Sequence, residues 1–392
     1  MGPLQGIKIL DLSRILAGPW ATQLLADYGA DVWKIERPGV GDDTRHWGPP
    51  FLKDREGRET TESAYYLSAN RGKRSVAIDI TTEAGQVAIR KLAAEADILV
   101  ENYKVGGLAK YGLDYDSLSK LYPRLIYCSI TGFGQTGPDA SLAGYDAMVQ
   151  ARGGLMSITG ERDGLPGGGP QKVGVAVADL MAGMYAVSAI LAALYHRDKS
   201  GQGQQIDIGL LDTQVAWLAN QNMNYLVGGV PPTRQGTAHP NIVPYQALPT
   251  RDGFIMLAVG NDRQFVACCE VLGRSDLAID PRFLTNRQRV QHRDQLIPLL
   301  ESCFKTKTTA EWSGLLDKVK VPCGPINTLA EVFEDEQLKA RGMRLDLPHP
   351  MAGTVPQVAN PVKFSATPVE YPLAPPLLGA DTDSVLRDLG ED

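Results

Sequence analysis

In the first third of the chain, short unbroken apolar runs alternate with segments whose apolar residues recur every three or four positions. "GIKILDL" is such a run, "SRILAGP" breaks it as a turn, "WATQLLADYGA" has helical spacing, and "DVWKIER" is apolar again. Three more runs follow: "SVAIDI" at 75–80, "ADILVEN" at 96–102 and "RLIYCSI" at 124–130. The segments between them, such as "EAGQVAIRKLAAEA" and "DYDSLSKLYP", carry helical spacing. Unbroken apolar strands separated by helices predict an α/β architecture with a parallel sheet covered on both faces.

Near residue 150 the texture changes. "ARGGLMSITGERDGLPGGGPQ" is dense in Gly and Pro and reads as loop. A long helix is predicted over 179–196, closed by "RDKSGQG", with Ala and Gly suited to close packing in the interior. "GQQIDIGLLDTQVAWLANQNMNYL" continues the core, and "VGGVPPTRQGTAHPNIVP" is a second break. From about 245 to 330 the pattern is a smaller α+β unit, with the strand "GFIMLAV" and helices such as "TAEWSGLLDKV". The proline-rich tail from 345 ("LPHP", "EYPLAPPLLG") is expected to be extended and to wrap another surface.

Composition narrows the class. The chain has 392 residues, 43% hydrophobic and 21% charged, an ordinary globular balance with length for two or three domains. A net charge of -6 gives no broad footprint for nucleic acid, although a local basic cluster can still bind a small anion. The five cysteines, Cys128, Cys268, Cys269, Cys303 and Cys323, include no C-x-x-C pair. Reduced thiols in a cytosol-like compartment fit better than a disulfide framework or a zinc site. "MGPLQGIKILDLSR" has no basic region leading into an apolar block, and the longest apolar stretch, around 182–195, is short and interrupted for a bilayer span. The expectation is a soluble cytoplasmic protein that binds neither membrane nor nucleic acid.

The opening strand–helix–strand, with Glu36 closing the second strand, has the outline of a dinucleotide site. "SRILAGPW" holds a single glycine where G-x-G-x-x-G needs three, so a nicotinamide enzyme is poorly supported. "NRGKRS" at 70–75 lacks the glycine and the Lys-Ser/Thr pair of a phosphate loop, and its Arg71, Lys73 and Arg74 read as a solvated turn. Five scattered histidines give no metal-ligand spacing, and no G-x-S-x-G elbow occurs. His239, in "GTAHPNI", reads as a hydrogen-bonded loop residue or as a ligand contact beside backbone amides. The segment that stands out is "KVGVAVADLMAGMYA" at 172–186, which sets Asp179 among small apolar residues that look buried. Asp179 is either a helix N-cap or a carboxylate held ionised at a buried helix start, able to act as a nucleophile. Spacing alone leaves both readings open.

"LDLSRILAGPWATQLLADYGADVWKIERPGVGDDTRHWGPPF", "AYYLSANRGKRSVAID", "ENYKVGGLAKYGLDY", "YCSITGFGQTGP", "AGYDAM", "VADLMAG" and "SGQGQQIDIGLLDTQVAWL" follow one another in order. Together they resemble the family III (CaiB/BaiF) CoA-transferases over nearly the whole chain. "GTAHPNIVPYQA" and "VPCGPIN" are most similar to the succinate–hydroxymethylglutarate (glutarate) and bacterial itaconate-type branches. The resemblance implies a large Rossmann-like CoA-binding domain beginning with 1–225, a small α+β domain at 226–330, and a tail at 331–392 that returns to the large domain. It also implies an interlocked homodimer. Coenzyme A and acyl-CoA would be substrates, not a permanently bound cofactor, with small carboxylic acids as the other partners and no metal.

By the same resemblance Asp179 matches the family's nucleophile. Its carboxylate would attack an acyl-CoA thioester to give a mixed anhydride and free CoA thiolate. The thiolate would then attack the aspartyl carbonyl, forming an aspartyl-CoA thioester, and the acceptor carboxylate would reverse the steps. Burial suits this chemistry because water hydrolyses an anhydride. Amides around Gly236, Thr237 and Ala238 are candidate oxyanion donors. The family's CoA positions fall on Ile15 and Leu16, on Arg37 near the phosphates, and on Ile78, Asp79, Ile80 and Thr81. They continue through Asn102, Tyr103, Lys104, Lys110, Thr131, Gly132, Phe133 and Gly134. Trp47 and Tyr145 match positions near the acyl group.

The chain departs from the family at three places. Lys110 and Thr131 stand where oxalate-type members carry Arg and Lys, and "GTAHP" replaces their run of glycines. Racemases of the superfamily carry a histidine where this chain has Tyr145, which removes one partner of a paired proton transfer. The expected activity is CoA transfer from succinyl-CoA, or a similar acyl-CoA, to a small dicarboxylate such as glutarate, itaconate or hydroxymethylglutarate. An α-methylacyl-CoA racemase-type isomerase is the alternative. Arg14, Arg45 and His239 are the candidate cations for a distal carboxylate, and Arg45 reads equally well as a structural salt-bridge residue.

Overall fold

The computed structural model describes residues 2–388. The chain forms two compact units, the first from Met1–Leu155, Val173–Gly229 and Glu336–Asp392, the second from Met156–Lys172 and Val230–Asp335. The first is built on a six-stranded parallel sheet. In chain order its strands are Lys8–Asp11, Asp31–Glu36, Lys73–Ala77, Ile98–Glu101, Ile126–Thr131 and Gln205–Gly209. They lie side by side in the order 3-2-1-4-5-6, the doubly wound arrangement.

The strands read as unbroken apolar runs because both faces of the sheet are covered. On one side Ile9, Val32, Val100 and Ile126 pack against the helices Ala17–Asp27 and Val177–Ser200. On the other, Leu10, Trp33, Leu99 and Tyr127 pack against Glu83–Glu95 and Tyr115–Leu121. The third strand ends at Ala77, so residues 78–80 leave the sheet instead of extending it as expected. The sixth strand hides in "GQQIDIG", because exposed Gln205 and Asp207 alternate with buried Ile206 and Ile208 over only five residues.

The long helix runs Val177–Ser200 and so begins two residues before Asp179. Ala178, Ala182, Gly183 and Ala186 form its buried stripe. A Cβ on Gly183 would lie 2.7 Å from the carbonyl oxygen of Ala17, so glycine is what permits this helix approach. Val175, Met184 and Tyr185, in the segment around Asp179 that looks buried from its sequence, are exposed, as are Leu191 and Tyr195 further along the same helix. The helix is long and apolar enough to cross a membrane by length and composition, but much of that apolar surface belongs to the core.

Two further expectations are revised. The turn at 70–75 is not solvated: Arg71 is buried with both ends of its fork on Asp27, at 2.9 and 2.6 Å, and Lys73 is buried on Asp11. The tail is less extended than its prolines suggest, since Arg344–His349 and Gly353–Val358 pair as an antiparallel hairpin. Beyond it, Asp381 and Thr382 accept the amides of Ser75 and Ala77, each at 2.9 Å. This covers an edge strand that could otherwise pair with another chain.

The second unit has a three-stranded antiparallel sheet of Tyr245–Pro249, Phe254–Ala258 and Cys323–Pro325. Helices close over it around Phe265, Phe283, Phe304 and Trp312.

Candidate active site

In a doubly wound sheet, ligands bind beyond the strand C-termini where the strand order reverses. Here that point lies between strands one and four, and a cleft of about 830 Å³ opens there. Its floor is the turn after the first strand, which a buried polar network holds. Asp11 accepts from the Ser13 amide at 3.0 Å, from Thr22 Oγ1 at 2.6 Å and from Lys73 Nζ at 3.1 Å. Lys34 Nζ donates to Asp42 at 2.9 Å and to the Ser13 carbonyl at 3.1 Å. Gly18, the single glycine of "SRILAGPW", is required because a Cβ there would sit 2.3 Å from the Ser13 side chain.

This network stabilises an unusual backbone. Ile15 has φ 72, in the left-handed region that a β-branched residue avoids. Its amide faces both oxygens of Asp42 at 3.3 Å. Asn102 brackets the preceding residue, accepting the Arg14 amide at 2.9 Å and donating to the Arg14 carbonyl at 2.7 Å. These protein contacts hold the turn.

Most positions carried over from the family resemblance converge on this cleft. Ile15, Leu16, Arg37, Ile78, Asp79, Ile80, Thr81, Asn102, Tyr103, Lys104, Lys110, Thr131 and Gly132 line it, as do Trp47, Tyr145 and Asp179. Arg37, Lys104 and Lys110 are exposed at its rim. Phe133 and Gly134 stand behind the wall: Phe133 is buried under the Arg152 guanidinium at 4.6 Å, and the Gly134 amide donates to Thr131 Oγ1 at 2.9 Å. Asn102 and Asp79 have their side chains engaged on protein, Asp79 accepting the Thr81 amide and hydroxyl at 2.9 and 2.7 Å.

Arg45 is not a free cation. It is buried, with Nε and Nη2 on Glu36 at 2.8 Å each, Nη1 on Glu62 at 3.1 Å, and Nη2 also on Tyr66 Oη and the Pro376 carbonyl. The structural reading of this arginine is the correct one, and it also accounts for Glu36, which holds Arg45 where a dinucleotide site would use the acid on a ribose. His239 fails as a cation as well. Its Nδ1 accepts the Asn241 amide at 3.1 Å, and burial together with the nearby Arg293 charge pushes its pKa down. Arg14 is the candidate that lines the cleft, half-exposed and paired with Asp43 at 2.9 Å.

Gly236, Thr237, Ala238 and His239 belong to the second unit. The Gly236 amide donates to the Gly160 carbonyl and the Ala238 amide to the Gln235 carbonyl, each at 3.0 Å. These bonds withdraw two of the three candidate oxyanion donors and leave the Thr237 amide.

Asp179 is the third residue of its helix and does not cap it: the N-cap is Ala176, whose side chain cannot accept a hydrogen bond. The helix amides are not its partners either, because Asp146 takes the Ala178 amide at 2.8 Å. Burial, with the charge of Asp146 added, pushes the Asp179 carboxyl up to about 7. Of the two readings open from the sequence, the N-cap does not apply, and the helix amides that could hold the carboxylate ionised are turned to Asp146. Sequence reading missed Asp146, and Tyr65 with it. The Tyr65 ring packs edge-on to Trp47 at 5.1 Å, and its hydroxyl is pushed up to about 12 by burial and by the charges of Asp179, Asp146 and Asp42. The only signal for Asp146 is its position beside Tyr145 in "AGYDAM".

The doubly wound sheet thus carries a cleft at its switch point, with exposed cations at the rim and a half-buried carboxylate on the inner wall. The sequence profile of CoA-transferase family III matches residues 4–382, and the chain belongs to that family, whose members act on CoA thioesters. It is 52% identical to the succinate–glutarate CoA-transferase of Agrobacterium fabrum, over 99% of this chain and 96% of that protein. It is 45% identical to the human succinyl-CoA:glutarate CoA-transferase, over 99% of this chain and 86% of that one. A crystal structure of a CaiB/BaiF family protein from Brucella suis superposes with a TM-score of 0.86 at 50% identity, covering 99% of both chains.

Proposed function

We propose that this enzyme transfers CoA from succinyl-CoA to glutarate, or to a closely similar dicarboxylate, through an aspartyl-CoA thioester on Asp179. The observation that carries the reading is the Asp179 carboxylate itself, on the cleft wall, desolvated and without a cationic partner. The relatives named for succinate, succinyl-CoA and glutarate support the substrate pair. In the first half-reaction a carboxylate oxygen of Asp179 attacks the thioester carbonyl and the C–S bond breaks, giving a mixed anhydride and CoA thiolate. The thiolate attacks the aspartyl carbonyl and succinate leaves. Glutarate then attacks the aspartyl thioester, thiolate departs and returns to the glutaryl carbonyl, and Asp179 is regenerated. A carboxylate with a raised pKa is a better nucleophile once ionised, and a cleft wall shielded from bulk water protects the anhydride.

In this reading the exposed Arg37, Lys104 and Lys110 receive the CoA phosphates, and the pantetheine arm runs past Ile15 and Leu16 towards Asp179. Arg14 exchanges Asp43 for the distal carboxylate of the acyl group. The racemase alternative finds no support, because Tyr145 occupies the place of the second base. A homodimer would account for the exposed apolar side chains Met184, Tyr185, Leu191, Tyr195, Met223, Tyr225 and Leu226. Five free thiols suit a reducing, cytoplasm-like compartment.

The test is acyl exchange followed by mass spectrometry, with succinyl-CoA as donor and glutarate, itaconate, hydroxymethylglutarate and oxalate as acceptors. Wild type is expected to form glutaryl-CoA, and Asp179→Ala to lose at least about 10³-fold in rate. Equal exchange by both proteins would refute the role of Asp179, and exchange with oxalate alone would refute the assignment of glutarate or a closely similar acid as acceptor.

A further inference from the structure

Asp146 is the first residue of the helix Asp146–Arg152, and its carboxylate reaches across to the start of the helix that carries Asp179. Oδ1 accepts the Ala178 amide at 2.8 Å and lies 3.5 Å from the Asp179 amide. Oδ2 accepts Gln150 Nε2 at 2.7 Å. Gln150 is fully buried, and its Oε1 accepts the Val173 amide at 2.9 Å. One carboxylate and one amide side chain therefore pin both ends of the segment 173–178 that leads into Asp179.

A helix N-terminus attracts whichever anion is nearest, through its orphan amides and its dipole. In this chain the cap residue is Ala176, which offers no side-chain acceptor. Without Asp146, the nearest carboxylate able to serve would be Asp179, folded back on its own helix. We infer that Asp146 is a positioning residue of the transferase: it occupies the helix N-terminus in place of Asp179, so that the nucleophilic carboxylate stays free of helix amides and faces the cleft. This rests on the proposed role of Asp179 as nucleophile.

The charged groups around Asp179 leave Asp146 in the deciding position. The helix Ala17–Asp27 brings only Asp27, which is locked on Arg71. Asp146–Arg152 brings Arg152, paired with Asp139 at 2.6 Å. Leu210–Trp217 brings Asp212, and the strand Gln205–Gly209 brings Asp207, which accepts the Gln135 amide at 2.9 Å. Tyr145 lines the cleft, Tyr65 lies close enough to feel the charges of Asp179 and Asp146, and Arg14 and Asp43 pair in the wall at 2.9 Å. Burial and the charge of Asp146 are the two causes that raise the Asp179 carboxyl.

Asp146→Asn keeps an oxygen for the Ala178 amide and removes the charge, whereas Asp146→Ala removes both. The experiment measures melting temperature, KM for succinyl-CoA and kcat/KM from pH 5 to 9 for wild type and both variants. In Asp146→Asn KM is expected to stay close to wild type, with a melting temperature a few degrees lower because the amide nitrogen replaces the oxygen that accepts Gln150 Nε2. The acid limb of its profile is expected to move about one unit lower, with the high-pH plateau of kcat falling several-fold as the nucleophile becomes less basic. Asp146→Ala is expected to lose about 10²-fold or more in kcat, with a smaller change in KM. An Asp146→Ala enzyme that folds and keeps wild-type kcat, or one whose loss lies wholly in KM or melting temperature, overturns the proposal; an acid limb that does not move in Asp146→Asn removes the charge of Asp146 from the account. A parallel digest after incubation with succinyl-CoA looks for a CoA adduct on Asp179 in wild type. Its absence would refute the nucleophile reading itself, separately from the part played by Asp146.

Discussion

Two groups of buried and half-buried carboxylates lie near the same strand ends, and their pKa values are pushed in opposite directions. Burial pushes all of them up. For Asp11, Glu36 and Asp42 the cations Lys73, Arg45 and Lys34, at 3.1, 2.8 and 2.9 Å, outweigh burial and bring each carboxyl below its ordinary range, Asp42 to about 2. Asp179 and Glu101 have no such partner, and each is pushed up to about 7. Glu62 stands between, raised by burial because it shares Arg45 with Glu36. The partner, not the depth, decides the sign. The paired acids fix backbone, as Asp42 does for Ile15, while an unpaired acid in a cleft keeps its reactivity.

The largest effect is expected from breaking the paired group. Arg45→Met would leave Glu36 and Glu62 buried without a cation, at a cost of about 3–5 kcal/mol in urea unfolding. A loss under about 1 kcal/mol would mean that the cluster is not a structural hub.

The next prediction concerns the unpaired group, where the sign reverses. A carboxyl whose folded pKa is raised costs nothing below its unfolded pKa near 4, and its penalty grows until the pH passes about 7. Asp179→Asn should therefore match wild type in stability at pH 4 and exceed it at pH 8, by on the order of 1–3 kcal/mol once solvent at the cleft is allowed for. Asp42 behaves in the opposite sense: its contribution is full above pH 4 and is lost as pH falls through about 2. Thermal unfolding of both proteins across pH 4 to 8 checks the difference, and parallel curves would contradict it.

The smallest effect on stability belongs to the half-exposed pair. Arg14→Ala is expected to change stability by less than about 1 kcal/mol, since Arg14 and Asp43 are both well solvated. KM should rise roughly tenfold for dicarboxylates and their CoA esters, and little for a monocarboxylate acceptor. Equal changes for both acid classes would remove Arg14 from the acyl site.

Arg45 and Asp146 show where reading the sequence stops. Arg45 sits in a motif that places it near the acyl group, yet its partners are Glu36, Glu62, Tyr66 and the carbonyl of Pro376, drawn from distant parts of the chain. Asp146 caps a helix that starts more than thirty positions later, and nothing in the spacing announces it. The strands were readable for the opposite reason. A strand covered on both faces needs apolar residues at every position, so "ADILVEN" and "RLIYCSI" declare themselves, whereas the exposed alternation of "QIDIG" does not.

The amino-acid sequence by itself determined the parallel α/β architecture and marked Asp179 as an acid out of place, because burial of apolar surface is written locally in periodicity. Which acids carry charge, which arginine is free and which amides remain to bind a ligand were decided only in the tertiary structure. Those properties depend on partners a few ångströms away that the chain brings together from afar.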